Sequence, residues 1–417
     1  MEIELKYGEG HLKLSLPDTA RVTLMRSGEL PILADPVAAL HAALDAPLGV
    51  PPLEERPRPK TVAVAVPDET RPFPLKLLLP PFLARLRSAW PALEPENIRI
   101  VVGGGLHPQP DSAQLARILP PEVLTGGYTI VPHDAERSTM SMFGSTSRGT
   151  MVMINAAVGT AEFKAVLGMI DPHQFVGMTG GSKGVTIGCA AKATIEHNHR
   201  LMYSPQAFVG NVDDNPVRQD LNEAGQLVGI DFAVNVVLNP LKQVVGLLAG
   251  EPVSCLTAGS RIAAKIYSRT LDEPYDIAVC SCGGYPKDIC LYQAQKGLNL
   301  ASRCVRPGGR ILLLAACPQG VGDDCYYEYV QRFKTPEEQM EEFARNGFRM
   351  GAHKAFLFSR TISRYDVAVH SELDAETLGR CLLRKRDAQT ILDAWLAERP
   401  DDRVAVIFNA NTLYFQS

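Results

Sequence analysis

The chain has no long hydrophobic run. None of its apolar stretches reaches the ~18 residues that a membrane-spanning helix requires, so no membrane role is expected. It has no excess of one charge either. Its 42 Lys and Arg against 46 Asp and Glu leave a net charge of −4. Without a dominant basic face, a nucleic-acid partner is excluded as an expectation. Its nine cysteines are an odd number and show no C-x-x-C pair with a matching pair. Cys280 and Cys282 stand two apart in a strand-like run, so they point to opposite faces. That pattern fits reduced thiols in a cytosolic protein rather than a disulfide framework or a zinc site. The opening "MEIELKYGEG" is charged and alternating. It reads as an edge strand and not as a signal peptide, and a cytoplasmic location is expected. No G-x-G-x-x-G follows any predicted strand. The one Gly-Lys stretch, "TGGSKG", is not a Walker motif: Gly177 lies four residues before Gly181, Ser182 separates the glycine from Lys183, and Gly184 follows.

The composition is that of a globular protein, with 46% apolar and 21% charged residues. A chain of 417 residues exceeds one ordinary core, so two domains are the default. "TVAVAVPD" (61–68) is a continuous apolar run closed by turn residues, the signature of a buried parallel strand. A helix over 74–90 follows. "NIRIVVGGGLHPQP" repeats the plan, and "YTIVPHD", "GTMVMINAAV" and "FKAVLGMID" continue it. "LVGIDFAVNVVLN" and "KQVVGLLAGEP" read as a hairpin. A hinge is placed near 268–274. A second α/β unit begins at "YDIAVCSCGG" and continues through a helix near 291–304 and the strand "GGRILLLAAC". The expected fold is therefore α/β: two α/β domains with mostly parallel sheets and the active site in the interdomain cleft. The domains are taken as 1–268, carrying the candidate catalytic residues, and 275–411, Rossmann-like. The closing "LYFQS" resembles a protease-site scar, so 412–417 is set aside as a tag remnant. The sequence fixes no oligomeric state.

In open α/β sheets ligands sit at the carboxyl ends of the strands, and several chemistry-bearing residues fall there. Asp68 and Arg71, in "PDETRPFP", can hold a phosphate or a ribose, the arginine pairing with phosphate and the aspartate accepting from hydroxyls. Taken alone, the pair reads first as an exposed salt-bridged turn. Gly103 to Gly105 let backbone approach a ligand, and His107 follows with a side chain suited to general-base work. His173 stands at a similar strand end. Two such histidines suit a reaction that removes a proton on one face and returns it on the other. Lys183 sits where glycines present backbone N–H groups to a phosphate, or where its amine forms a covalent link. His197 and His199 are two apart and would face different ways on a helix, so both on one metal is disfavoured. In "GGYPKDICLYQAQKG", Gln293 and Lys296 share a helix face, with Tyr292 beside them. They suit a carboxylate, or else a solvated helix surface.

These motifs, together with "GSTSRGT", resemble the lactate racemase family, the nickel-pincer-nucleotide enzymes, in the family's order over roughly residues 60–310. The resemblance implies the following roles. Lys183 is bonded to the cofactor's thioamide. The cofactor, Ni(II)-pyridinium-3,5-bisthiocarboxylic acid mononucleotide, holds nickel by two sulfurs and a carbon, and His199 adds the protein's ligand. Asp68, Thr70, Arg71, Gly180, Gly181 and Ser182 cradle the nucleotide. His107 and His173 are the two bases. Arg71, Tyr292, Gln293 and Lys296 bind the substrate. One histidine takes the 2-hydroxyl proton, a hydride passes from C2 to the cofactor, and it returns to the other face of a planar 2-keto acid. A chain produced without the cofactor-making machinery is expected to lack the cofactor. The chain departs from the family pattern at Pro108, where arginine is common, and at Ile187-Gly188, where Pro-Gly is common. Both lie near the pocket and leave the acid open: lactate, or a bulkier or differently charged 2-hydroxycarboxylate. Two other readings stand beside this one. One is a Rossmann-like enzyme using NAD or S-adenosylmethionine, for which "RPGGRILLLAAC" speaks. The other is a non-catalytic cofactor-binding protein.

Overall fold

The computed structural model describes residues 1–349 and 351–416. Three strands open the chain: β1 (Glu2–Tyr7), β2 (Gly10–Ser15) and β3 (Arg21–Met25). The apolar run that follows the proline-rich loop is β4 (Val62–Pro67), buried from Val62 to Val66. Next come β5 (Ile98–Gly103), β6 (Thr129–Pro132), β7 (Met140–Ser145), β8 (Met151–Asn155) and β9 (Phe163–Ile170). The short β10 (Pro172–His173) and β11 (Gly177–Met178) pair with each other, and β12 (Phe232–Leu238) and β13 (Val244–Gly250) form the expected hairpin.

The chain divides into two units, Glu29–Ile266 and the combination of Met1–Gly28 with the chain from Tyr267 onward. In the first unit a six-stranded sheet runs β13-β12-β9-β4-β5-β6, parallel except for the β12–β13 hairpin. "GTMVMINAAV", read as another strand of this sheet, instead forms β8 of a separate antiparallel pair with β7. Alternation decides the faces. Val62, Val64 and Val66 join Ile98, Ile100 and Val102 in one core with Leu79, Phe82 and Leu86 of the helix Leu75–Ala89. Phe163 closes it against Trp90, ring centroids 5.0 Å apart in an edge-to-face arrangement. From β4 the chain moves to β5 and β6 on one side and returns to β9 and β12 on the other. This is a topological switch point, where the carboxyl ends of β4 and β9 open a crevice.

The second unit holds β14 (Ser268–Thr270), β15 (Tyr275–Ser281), β16 (Val305–Leu314), β17 (Asp366–His370), β18 (Arg403–Ile407) and β19 (Tyr414–Gln416). Its five-stranded sheet, β17-β16-β15-β18-β3, is parallel throughout. One sequence expectation needs correction here. Residues 1–28 were assigned to the first domain, but they belong with the second unit. The reason is pairing and burial: β3 adds to β18 as the sheet's edge, and Ile3, Leu5, Leu14 and Leu16 pack on Ile277, Val279, Leu312 and Leu314. Of the closing stretch expected to be a tag remnant, Tyr414–Gln416 form β19 and pair with β14, and Leu413, Tyr414 and Phe415 are buried. The boundary falls at 266/267, and the expected 268–274 hinge contains β14. Among the described residues no helix is long and apolar enough to cross a membrane.

Deleting residues 1–28 strips β3 from β18 and uncovers the apolar side of Ile277 and Leu312. The expected outcome is loss of the second unit's cooperative melting while the first unit's transition persists, read by circular dichroism and differential scanning calorimetry.

Candidate active site

A cavity of about 260 Å³ lies at the switch point, lined from the ends of β4, β5 and β9 and from the Thr179–Gly188 segment. Five of the anticipated side chains meet there: Asp68, Thr70, Arg71, His107 and Lys183.

Asp68 directly follows β4 and is buried, and the loop after β5 brings His107 to it. Asp68 Oδ2 and His107 Nδ1 are 2.7 Å apart. The other carboxylate oxygen accepts from the Thr70 hydroxyl at 2.6 Å and the Thr70 N–H at 3.3 Å. Burial alone would raise the Asp68 carboxyl. The hydrogen bonds from His107 and Thr70, aided by the charges of His107 and Arg71, outweigh it and hold the group below the usual carboxylate range. Asp68 is therefore already engaged by an imidazole, a role that "PDETRP" alone does not show. Gly104 makes the pairing possible. A Cβ there would stand 2.9 Å from Asp68 Oδ2 and 3.2 Å from the His107 Cβ. His107 itself remains 43% exposed, with its ring open to the cavity.

Lys183 is half-buried at the start of the short helix Lys183–Thr186. Its amine is brought down to about 7 by burial and then by the positive charges of Arg71 and Arg218. The loop before it turns through Gly180 (φ +86°) and Gly181 (φ +58°), conformations that favour glycine. Two residues absent from the sequence reading hold this loop. Asn235 on β12 accepts the Gly181 N–H at 2.9 Å. Arg218, fully buried on the helix Pro216–Val228, donates to the carbonyls of Met178 and Gly180. Asn235 had a signal, a polar residue inside the apolar run "DFAVNVVLN". Arg218 had none, because its partner is backbone 38 residues away.

Other anticipated residues fall elsewhere. Ser182 is buried against the helix Pro216–Val228, where a Cβ on Gly225 would come within 2.3 Å of its Oγ, and it does not line the cavity. His173 and His199 also lie outside that lining and flank one ring: Phe175 meets His173 edge-on at 4.7 Å and His199 at 5.1 Å. The Val176 N–H donates to His173 Nδ1 at 3.3 Å. His199 Nδ1 lies 3.1 Å from the Asn198 Oδ1, and Asn198 is fixed by Asp220. His197 turns away to the Arg148 carbonyl. Among the described residues no three His, Cys, Asp or Glu side chains gather as a metal cage. Any metal at His199 would have to bring its remaining donors with it. Tyr292, Gln293 and Lys296 stand on the first turns of the helix Leu291–Ala301 in the other unit, Gln293 exposed and the other two half-buried.

Residues 7–210 match the family model for the lactate racemase N-terminal domain, and residues 271–408 that for the lactate racemase C-terminal domain. The chain is 28% identical over 351 residues to the lactate racemase of Thermoanaerobacterium thermosaccharolyticum, covering 83% of this chain and 81% of that one. It is 30% identical over 306 residues to the lactate racemase of Lactiplantibacillus plantarum, covering 73% and 71%. In structure it is similar to the lactate racemase apoprotein from T. thermosaccharolyticum, with a TM-score of 0.90 at 24% identity over 100% of both chains. It is also similar to a Thermotoga maritima protein, with a TM-score of 0.65 at 14% identity over 93% and 99%. At those identities the structural likenesses speak for the fold alone.

The Lys183 environment makes a direct prediction. Acylation of Lys183 in the purified, cofactor-free chain should rise through pH ~7 rather than near the ordinary lysine value of 10.5. Arg71→Ala removes one of the depressing charges and should move that midpoint upward, read by peptide mass spectrometry after pulse labelling.

Proposed function

This chain belongs to the lactate racemase family, and on that premise we propose that it racemises a 2-hydroxy acid, lactate or a related 2-hydroxycarboxylate, with a nickel-pincer nucleotide as cofactor. The observation that carries the reading is the meeting in one cavity of a carboxylate-held imidazole, His107, and a lysine amine brought down to about 7.

The donor set suits such a cofactor. A metal that arrives with its own sulfur and carbon ligands needs one imidazole, and His199 would supply it. Lys183 would hold the cofactor through its amine, of which about half is unprotonated and nucleophilic near neutrality. Arg71 and Lys242, both lining the cavity, would face its phosphate. When bound, the cofactor supplies reversible acceptance of a hydride from the substrate's C2.

The chain's own residues then handle the proton. Asp68 is held ionised, so the neutral His107 ring keeps its hydrogen on Nδ1, toward the carboxylate. Its Nε2 is left as the acceptor, which is what a base for the 2-hydroxyl needs. His173 has the complementary bias. Its Nδ1 accepts from the Val176 N–H, so the hydrogen of the neutral ring sits on Nε2, and the ring returns a proton only from its imidazolium form. In this scheme one histidine takes the hydroxyl proton and the other returns one, and the roles exchange for the opposite enantiomer. Tyr292, Gln293 and Lys296 would bind the substrate carboxylate.

The test is co-expression with the cofactor-making enzymes. Intact mass should show an adduct on Lys183 that is absent from Lys183→Ala, with nickel bound, and polarimetry should show racemisation of a 2-hydroxy acid. Loaded protein with neither adduct nor activity overturns the proposal. His107→Ala and His173→Ala should each slow racemisation by about 10²–10⁴-fold, the usual worth of a positioned acid or base. Full activity in either variant would break the two-histidine scheme. Asp68→Asn should cost about 10²-fold in kcat, because an amide neither holds the Nδ1 hydrogen as firmly nor stabilises the imidazolium.

A further inference from the structure

The motif "GSTSRGT" (144–150) has no part in this scheme so far. It closes the β7–β8 hairpin, and its side chains reach the helix Pro216–Val228. The Thr146 hydroxyl donates to Asp220 Oδ1 at 2.5 Å and the Thr150 hydroxyl to Oδ2 at 2.8 Å. Each hydroxyl has one hydrogen and spends it there. Ser147 donates its N–H and its hydroxyl to Glu223, both at 2.6 Å. Asp220 and Glu223 share one face of their helix, so the turn is clamped to that face. Asp220 is fully buried, and its two oxygens receive a third donor as well.

That donor comes from the helix Lys192–Arg200. Asn198, also fully buried, gives one hydrogen of Nδ2 to Asp220 Oδ2 at 2.8 Å and the other to the Val217 carbonyl at 3.1 Å. A carbonyl oxygen only accepts, so the atom facing Val217 is the amide nitrogen, and the two ends of the side chain cannot be exchanged. Oδ1 therefore faces His199, whose Nδ1 lies 3.1 Å away. An amide oxygen also only accepts, so Nδ1 of His199 carries a hydrogen. A metal can bind such a ring only through Nε2. Phe175, buried and edge-on to His199 at 5.1 Å, limits the turn of the ring. His197 is committed the other way. Its Nε2 lies 3.2 Å from the Arg148 carbonyl of the same motif, so there the hydrogen sits on Nε2.

We propose that Asn198 is the positioning residue of the nickel site: it commits His199 to the metal through Nε2, and Asp220 with the "GSTSRGT" turn anchors it. A metal-binding histidine normally gives its other N–H to a carboxylate or a carbonyl, which sets the tautomer and strengthens the ring as a donor. Here the carboxylate acts through one intervening amide, and the Val217 carbonyl fixes which way that amide points. The nickel rests on the racemase reading, whereas the tautomer of His199 does not.

Two measurements test this. The first is long-range proton–nitrogen NMR of the purified, cofactor-free chain with labelled histidine rings, at pH ~8.5, about two units above the ordinary histidine value. The His199 signals are identified by their loss in His199→Gln. Wild type should show an Nδ1–H ring at His199, and Asn198→Ala should pass to the Nε2–H form or a mixture, a change that a merely structural asparagine would not produce. An Nε2–H ring in wild type overturns the proposal, whether or not the variant folds. So does an unchanged ring in Asn198→Ala. The second measurement follows nickel release from the cofactor-loaded enzyme to EDTA by metal analysis. Asn198→Ala should lose nickel at least about 10-fold faster than wild type, the usual cost of removing such a partner. Asp220→Asn leaves one acceptor oxygen for three donors and should fall between the two. Wild-type release from Asn198→Ala overturns the metal role, and wild-type release from Asp220→Asn removes the anchor. If co-expression with the cofactor-making enzymes puts no nickel on the wild type, the racemase reading falls and the NMR alone decides how His199 is positioned.

Discussion

Parallel pairing makes neighbouring strands of a sheet end on the same edge, and in the larger sheet this constraint brings the candidate chemistry together. β4 runs beside β5 on one flank and β9 on the other, so the loops leaving β4 and β9 diverge and leave an opening between them. Asp68, His107 and Lys183 are far apart in sequence but are delivered to that opening because each follows a strand of the same direction. The core under it is built of alternating valines and isoleucines against one helix, which fixes the strand ends in register. Gly104 and the Gly180–Gly181 turn then remove the side chains that would keep those ends from closing on one another.

The electrostatics of the cavity follow from that convergence. Burial, and after it the charges of Arg71 and Arg218, lower Lys183, while Asp68 stays ionised because His107 and Thr70 more than offset its burial. The outcome is one fixed anion bound to an imidazole beside an amine that gives up its proton near neutrality. Arg218 contributes twice, since its hydrogen bonds to Met178 and Gly180 also hold the loop that carries the lysine. Loop geometry and lysine chemistry are thus coupled through one buried guanidinium.

The second unit shows the same economy of a parallel sheet with different contents. Its edge is completed by β3, from the other end of the chain, whose apolar residues are too few to form a core by themselves. Its buried polar cluster around Lys354 lies on helix faces rather than at a strand end. There Gln295 Nε2 has no hydrogen-bond partner, and burial, followed by the charge of Lys296, brings the Lys354 amine down to about 7.

Much of this could be read from residues alone. The run "VAVAVP" announces a central parallel strand because burial on both faces removes the need for polar alternation. The hairpin at 232–250 and the glycine-marked turns "GGGLH" and "TGGSKG", which carry one histidine and the lysine, are equally local. Tertiary structure decided what depends on distant partners. A short edge strand such as "RVTLM" carries no mark of which sheet it joins, so residues 1–28 were read with the wrong unit. The stretch "YFQ" at 414–416 shows its pairing only once β14 receives it. Asp68 looks like a ligand-binding carboxylate until the β5 loop hands it an imidazole, and Arg218 and Lys354 look like surface cations until helices bury them. Local propensity and periodicity set the elements, but the partner of a buried charge is a property of the packed chain.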